Sequence, residues 1–367
     1  MIRGSVKLQK NSQNKFLFKI GKKKLFSNRV FVVAEISANH NKSLKRIKKL
    51  IKMAKLAGAD AVKLQTFTAD TITLNSNKKD FKLNFLKENK SWKKLMNYYQ
   101  LYEKASYPWK WNKQIFKYAK ELNIEIFSSP FDETAVDFLE NLNCVAYKVA
   151  SPEINHLPLL EKIAETGKPI IISTGLANEI DIKKALNIFK KKNNKKIILL
   201  KCNSSYPAKV EESDLKNIPY LRRKYKIPVG LSDHSIGSTA AITASALNAC
   251  MIEKHFNLSD KKKTLDSFFS SNEKDFKEMI IKIREVEKIL GSYNYRLSQS
   301  SKLNFRSRRS IYVSNEIKKG DKFNKSNIKI VRPGLSLSPQ YYKKIIGKIA
   351  KRNLNSGQRL NLKDIKF

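Results

Sequence analysis

Cysteine and histidine are scarce in this chain, and acidic residues are few beside the basic ones. Only Cys144, Cys202 and Cys250 occur among 367 residues. Their odd number and the lack of any CxxC spacing exclude a disulfide framework and point to reduced thiols packed in a core. No apolar h-region opens the stretch MIRGSVKLQKNSQNKF, and no run reaches the roughly 18 apolar residues that a membrane span needs. A soluble, cytoplasmic protein with no membrane partner is expected.

Acidic residues number 32 against 74 Lys and Arg, which gives a formal net charge of +42. Such a balance suggests a basic nucleic-acid-binding protein, the alternative from a different functional class. The excess is Lys rather than Arg, however, and runs from end to end without a helix-turn-helix, zinc-finger or RNP-like stretch. Base readers favour the forked contacts of Arg, so solvated lysine faces and no nucleic-acid partner are expected. The positive field would still draw anionic substrates inward, within the roughly 8 Å that physiological salt allows.

The length and the 41% hydrophobic content are enough for a sizeable core, one main domain and a small one. Eight β-rich runs alternate with amphipathic stretches: RVFVVAEIS, AVKLQTF, IEIFSSPF, AYKVAS, PIIISTG, KIILLKCNS, PVGLSDH and MIEKHF. Between them KSLKRIKKLIKMAKLAGA, EIDIKKALNIFKKKN and STAAITASALNA repeat apolar residues near i, i+3, i+4 and i+7. Eight such units predict a (β/α)8 TIM barrel over residues 1–291, closed by the helix NEKDFKEMIIKIREVEKILG. Residues 1–28 read as an N-terminal extension or hairpin that would plug the barrel's N-terminal mouth, with disorder equally compatible with the first ten. Residues 292–305 read as a linker. Residues 306–367, with short β-like pieces and Gly turns, predict a compact β-rich second domain.

Catalytic groups of such barrels gather at the C-terminal ends of the strands, where alternate residues share a face. Polar residues stand there on every run: Glu35, Ser37 and Asn39 at period two, then Lys63, Gln65, Ser129, Lys148, Ser151 and Glu153, and further on Ser173, Ser204, Tyr206, Ser232, His234, Glu253 and His255. Four histidines occur in all, and two of them, His234 and His255, end successive runs. Neighbouring strands lie about 4.8 Å apart, so both imidazoles can reach one divalent metal. Two nitrogens with oxygen ligands otherwise suit Mn2+, or Mg2+ or Co2+, better than structural zinc. Two hydrogen-bonded core histidines are the alternative. Lys63 and Lys148 lie in otherwise apolar runs, and a buried ammonium costs several kcal/mol unless it is paired. An anion is therefore expected beside them, and the surrounding serines suit phosphate or carboxylate oxygens.

The stretches AEISANH, AGADAVKLQTF, SSPFDETAVDFLE, YKVASPEI, KPIIISTG, GLSDHS, IEKHF and RPG occur in the order found in the sialic acid synthase family, and the chain resembles it from about Val30 onward. LYEKASYPWKW, SPFDETAVDFLE, LDSFFSS and RPGLSLSPQYY are most similar to its pseudaminic acid synthase branch. The resemblance implies a C-terminal antifreeze-like (SAF) domain. It also implies condensation of phosphoenolpyruvate with an N-acetylated amino sugar of the 2,4-diacetamido-2,4,6-trideoxy-L-altrose type, with release of phosphate. N-acetylneuraminate or legionaminate synthesis is the alternative with the same chemistry.

Within the resemblance, His234 and His255 match metal ligands that polarise the open-chain aldehyde. Lys63, Ser129, Lys148, Ser151, Ser173, Ser204 and Ser232 match phosphoenolpyruvate contacts. Glu35 and Glu153 match acids at the reacting centre, Gln65, Tyr206 and Asp266 match sugar contacts, and Phe131 joins the substrate-binding set. Arg332 in RPG matches an arginine that reaches the sugar pocket. The linker could span up to roughly 45 Å at about 3.3 Å per residue, so a domain-swapped homodimer is expected, with Arg332 serving the partner's site. The chain departs from the family pattern at Asn248, Leu265, Lys201 and His156, whereas His40 fits it and is expected to order a loop.

Overall fold

The computed structural model describes residues 15–83, 97–260, 262–291 and 296–367. The first ten residues, for which disorder or a hairpin was expected, lie outside these. The chain divides into two compact units, Met1–Ser292 and Tyr293–Phe367.

In the first unit, strands β1 (Phe16–Ile20) and β2 (Lys23–Phe26) pair antiparallel. Gly21 turns between them at φ +58°, a left-handed conformation that glycine adopts without strain. A side chain at Gly21 would also run into the Glu125 carboxylate, which accepts a 2.8 Å hydrogen bond from the Lys22 backbone N–H. Ile20 and Leu25 are buried in the barrel's hydrophobic core, each stabilising the hairpin's seat by about 1.5–3 kcal/mol. The hairpin thus sits at the N-terminal end of the barrel strands.

The eight predicted runs become β3 (Phe31–Glu35), β4 (Ala61–Thr66), β5 (Glu125–Pro130), β6 (Tyr147–Val149), β7 (Ile170–Ser173), β8 (Ile197–Cys202), β9 (Val229–Asp233) and β10 (Met251–His255). They are parallel and close into a barrel in chain order, with β10 against β3. Ile, Val and Leu fill both faces of most of these strands, as expected of a sheet covered inside and out. The predicted helices occur at Leu44–Ala57, Glu179–Lys191, Thr239–Ala246 and Glu273–Leu290. Each begins where a short polar side chain offers an acceptor or the chain turns. Ser43 accepts from the Arg46 N–H, Asn178 from Ile180 and Asp181, and Asn272 from Lys274 and Asp275.

The second unit holds β11 (Ser310–Val313) paired with β12 (Ile328–Val331), and β13 (Ile349–Ala350) paired with β14 (Ile365–Lys366), all antiparallel. They surround a small core that includes Ile311, Phe323, Ile345, Leu354 and Leu360. Within the stretch read as linker, Gln299–Leu303 forms a short helix and Asn304–Ser307 a 3-10 turn. Among the described residues no helix is long and apolar enough to cross a membrane.

Candidate active site

The parallel register brings the charged strand ends together. Glu35 lies opposite Lys63 on one side and His255 on the other, and Ser232 lies opposite Glu253. Lys63 Nζ is 2.9 Å from Glu35 Oε2 and 2.8 Å from Glu253 Oε1, and Lys148 Nζ is 3.7 Å from the same Glu253 oxygen. All four charged groups are buried. Burial pulls Lys63 down to about 8 against the attraction of Glu253. Burial alone would raise Glu253, but Lys148 and Lys63 outweigh it and hold its carboxyl at about 2. The anion beside both lysines in this structure is a protein carboxylate, Glu253.

Polar atoms at this end are short of partners. Glu35 Oε1, Ser129 Oγ, Glu153 Oε2, Ser173 Oγ, Glu253 Oε2 and His255 Nδ1 are all buried without a hydrogen bond. Orphaned buried polar groups cost about 1–3 kcal/mol each, so their collection at one barrel mouth marks a place built to receive polar atoms. Glu153 is pushed up to about 7 by burial, despite the opposing pull of Lys148 and Lys63. Gly175 keeps the neighbourhood open: a Cβ there would collide with the hydroxyls of Ser204 and Ser151 and with the Cys202 thiol. Ser151 Oγ accepts the Leu176 N–H at 2.9 Å, and Ser232 Oγ donates to Glu253 Oε1 at 3.1 Å. Gln65 pairs in register with Ser129, and Phe131 packs edge-on against Phe67 with centroids 5.0 Å apart.

His234 and His255 face each other with ring centroids 5.2 Å apart. His234 Nδ1 lies 2.7 Å from the Asn203 carbonyl and so donates to it; against the opposing effect of burial, the neighbouring Cys202 together with that carbonyl raises the imidazole. Burial, then the neighbouring charge of His234 and Lys63, keep His255 well below the usual imidazole range and hence neutral. Tyr206 and Phe269 close around the pair, with Phe269 4.6 Å from His255 and Tyr206 4.4 Å from His234. Asp266 accepts from the Ser37 hydroxyl and, at 3.1 Å, from the Ala38 N–H, and burial raises its carboxyl. Among the described residues no group of three or more His, Cys, Asp and Glu side chains forms a metal cage. Two neutral-capable imidazoles with an orphaned nitrogen fit an ion that takes its remaining ligands from water and substrate.

A family model for the NeuB family matches residues 50–295, and one for the SAF domain matches residues 308–366. The chain is 42% identical over 338 residues to a pseudaminic acid synthase of Campylobacter jejuni, covering 92% of this chain and 97% of that protein. It is also 42% identical over 336 residues to a pseudaminic acid synthase of Helicobacter pylori, covering 91% and 97%. The crystal structure of the spore coat polysaccharide biosynthesis protein spsE of Bacillus subtilis superposes with a TM-score of 0.64 at 31% identity, covering 95% of this chain and 99% of that one.

The chain belongs to the NeuB family. It is a phosphoenolpyruvate-dependent nonulosonic acid synthase with a C-terminal SAF domain.

In this NeuB-family enzyme the barrel mouth gathers Glu35, Lys63, Lys148, Ser232, His234 and His255, with Ser151 and Ser204 meeting beside Gly175. Arg332 is exposed in the second unit. Asn39, read as a strand-end group, is not one: the strand stops at Glu35, and Ser37 takes φ +49° to start a 3-10 turn. Asn39 instead joins that turn to the loop after β10, donating to Phe256 O and Ser270 Oγ and accepting from Thr264. His40 orders the same region: its Nδ1 accepts the Lys42 N–H at 3.0 Å, and burial holds it down at about 4. Asn248 takes φ +59°, a left-handed conformation that asparagine tolerates. His156 is half-buried and 3.7 Å from Glu133, and Lys201 donates to the Cys202 carbonyl. Glu253, read in the sequence as a strand-end group, was given no role there, yet it is the carboxylate that meets both Lys63 and Lys148. The signal for it was available, because it shares the inward face with His255 two positions on.

Proposed function

We propose that this synthase condenses phosphoenolpyruvate with 2,4-diacetamido-2,4,6-trideoxy-L-altrose to give pseudaminic acid and phosphate. The observation that carries the reading is the barrel mouth itself, where two buried ammonium groups and six orphaned polar atoms converge. The choice of sugar is supported by the similarity to pseudaminic acid synthases of two organisms.

Lys63 and Lys148 hold the phosphate and carboxylate of phosphoenolpyruvate, exchanging part of their contact with Glu253 for substrate oxygens. Ser129, Ser151, Ser173, Ser204 and Ser232 supply hydroxyl donors around them. His234 and His255 would hold a divalent metal, Mn2+ by preference, whose chemistry when bound is to polarise the sugar aldehyde. C3 of the enol attacks the aldehyde carbon, water adds at C2, and the tetrahedral intermediate breaks its C–O bond to release phosphate. The new hydroxyl needs a proton and the attacking water must lose one. Glu153, poised near 7, suits both transfers. Glu35, 2.9 Å from Lys63, orients that ammonium instead. Tyr206, Gln65, Asp266 and Phe131 line the sugar's side. Arg332 reaches the sugar of a partner subunit in a domain-swapped homodimer, its fork meeting an acetamido oxygen. The three buried free thiols agree with a cytoplasmic setting.

Phosphate release with a sugar panel tests the reading. The 2,4-diacetamido-trideoxy-altrose should exceed N-acetylmannosamine and the legionaminate precursor by at least tenfold in kcat/KM. Preference for either competitor moves the assignment to the corresponding synthase. For the dimer, an Arg332→Ala chain mixed with a His234→Ala chain should regain activity above both parents; no recovery after proven subunit exchange would place each Arg332 at its own site or at none.

A further inference from the structure

The two strands that end in histidine carry a second charged pair on their other face. Asp233 and Lys254 lie opposite each other in the β9–β10 register, alternating with the inward Ser232 and Glu253. Their side chains are 3% and 1% exposed, and Lys254 Nζ is 2.7 Å from Asp233 Oδ2. The same ammonium donates to the Ser235 carbonyl at 2.7 Å. Asp233 Oδ1 accepts the Ser235 N–H at 2.9 Å and the Ser235 hydroxyl at 2.7 Å.

Lys254 therefore grips the chain on both sides of His234, at Asp233 and at Ser235, while being the covalent neighbour of His255. The contrast with the inward charges is plain: Glu253 and Glu35 keep orphaned oxygens, whereas both Asp233 oxygens have partners. A buried ion pair is at best about neutral for stability against a well-packed apolar pair of the same volume. What it adds is direction, because charged hydrogen bonds allow one register where methyl groups would tolerate a small slide. Metal ligands need placing to within about 0.2 Å.

We propose that Lys254 and Asp233 are positioning residues that lock the tips of β9 and β10 and so set the spacing of the His234 and His255 imidazoles for a divalent metal. The proposal rests on the reading of those two histidines as the metal pair. It assigns no contact with substrate to either residue.

The test is Mn2+ binding to the full-length protein, read from the free-ion electron paramagnetic resonance signal without phosphoenolpyruvate or sugar. The neutral, near-isosteric double variant Asp233→Asn with Lys254→Met should stay folded, bind Mn2+ at least tenfold more weakly, and keep the phosphoenolpyruvate KM within about twofold at saturating metal. A folded double variant with wild-type Mn2+ affinity overturns the proposal. Should that variant fail to fold, Ser235→Ala removes only the hydroxyl bond to Asp233 and should weaken Mn2+ binding by at least threefold; an unchanged affinity overturns the proposal equally. His234→Ala is the control that separates the two ideas. If it binds Mn2+ as tightly as wild type, the metal assignment itself is wrong, and the pair has no ligands to position.

Discussion

The two mouths of the barrel treat their polar groups in opposite ways. At the N-terminal end Asp60 is buried and fully engaged: it accepts the Val32 N–H at 3.0 Å and meets Arg29 and Arg284 at 3.4 and 3.3 Å. Glu287 accepts the Val30 N–H, and the β1–β2 hairpin covers the strand starts with apolar side chains. At the C-terminal end the buried carboxylates of Glu35, Glu153 and Glu253 each keep an oxygen without a hydrogen bond. The same strands thus end in a satisfied network on one side and in an unsatisfied one on the other. Satisfaction serves stability, and its absence marks where substrate atoms are to complete the bonding.

Five substitutions would break or sharpen that contrast. The largest effect is expected at the open mouth: His234→Ala or His255→Ala should lower kcat by about a thousandfold, as several kcal/mol of carbonyl activation is lost. The circular dichroism and melting curve should stay close to wild type, and near-full activity in either variant would remove the ligand assignment.

Leu25→Ala is the counterpart at the closed mouth. Truncating this buried hairpin residue should cost about 2–4 kcal/mol of stability, read as a lower denaturant midpoint, while kcat/KM at 25 °C stays unchanged. A kinetic defect without loss of stability would show that the plug communicates with the chemistry.

Lys63→Met keeps bulk and removes charge. It should raise the phosphoenolpyruvate KM about ten- to a hundredfold, the loss of one charge-assisted contact to an anion. Unchanged phosphoenolpyruvate kinetics would mean that Lys63 serves only to neutralise Glu35 and Glu253.

The last test concerns Glu153, whose carboxyl burial raises from 4.5 to about 7. Between those values the folded protein binds more protons than the unfolded chain, so this group's stabilising contribution is complete below about 4.5. It is lost as pH rises through about 7. The ligand-free wild type should therefore lose about 3 kcal/mol relative to Glu153→Gln between pH 4.5 and 8. The wild-type kcat/KM profile should also bend near pH 7, and that inflection should vanish in Glu153→Gln. Parallel stability profiles for the two proteins would mean that the carboxyl titrates normally.

Much of this organisation was legible along the chain. Runs such as PIIISTG and KIILLKCNS read as strands, and period two placed Lys63 with Gln65 and His234 with Ser232 on one face. The reading failed where the chain left its period: Ser37 takes a positive φ after β3, so Asn39 turns away to tie the Asp266 loop in place. It was also incomplete for the lysines, because the partner of Lys63 lies 190 residues away at Glu253.

What the sequence determined by itself is the barrel, the SAF domain and the polar residues at the strand ends, because hydrophobic periodicity and motif order are local properties. Which charges neutralise which was decided only by the closed sheet. Closure sets β10 beside β3 and so brings Glu253 to Lys63, His255 to Glu35 and Asp266 to Ser37. Pairing across such a closure depends on distances through space, and near positions in space need not be near in the chain.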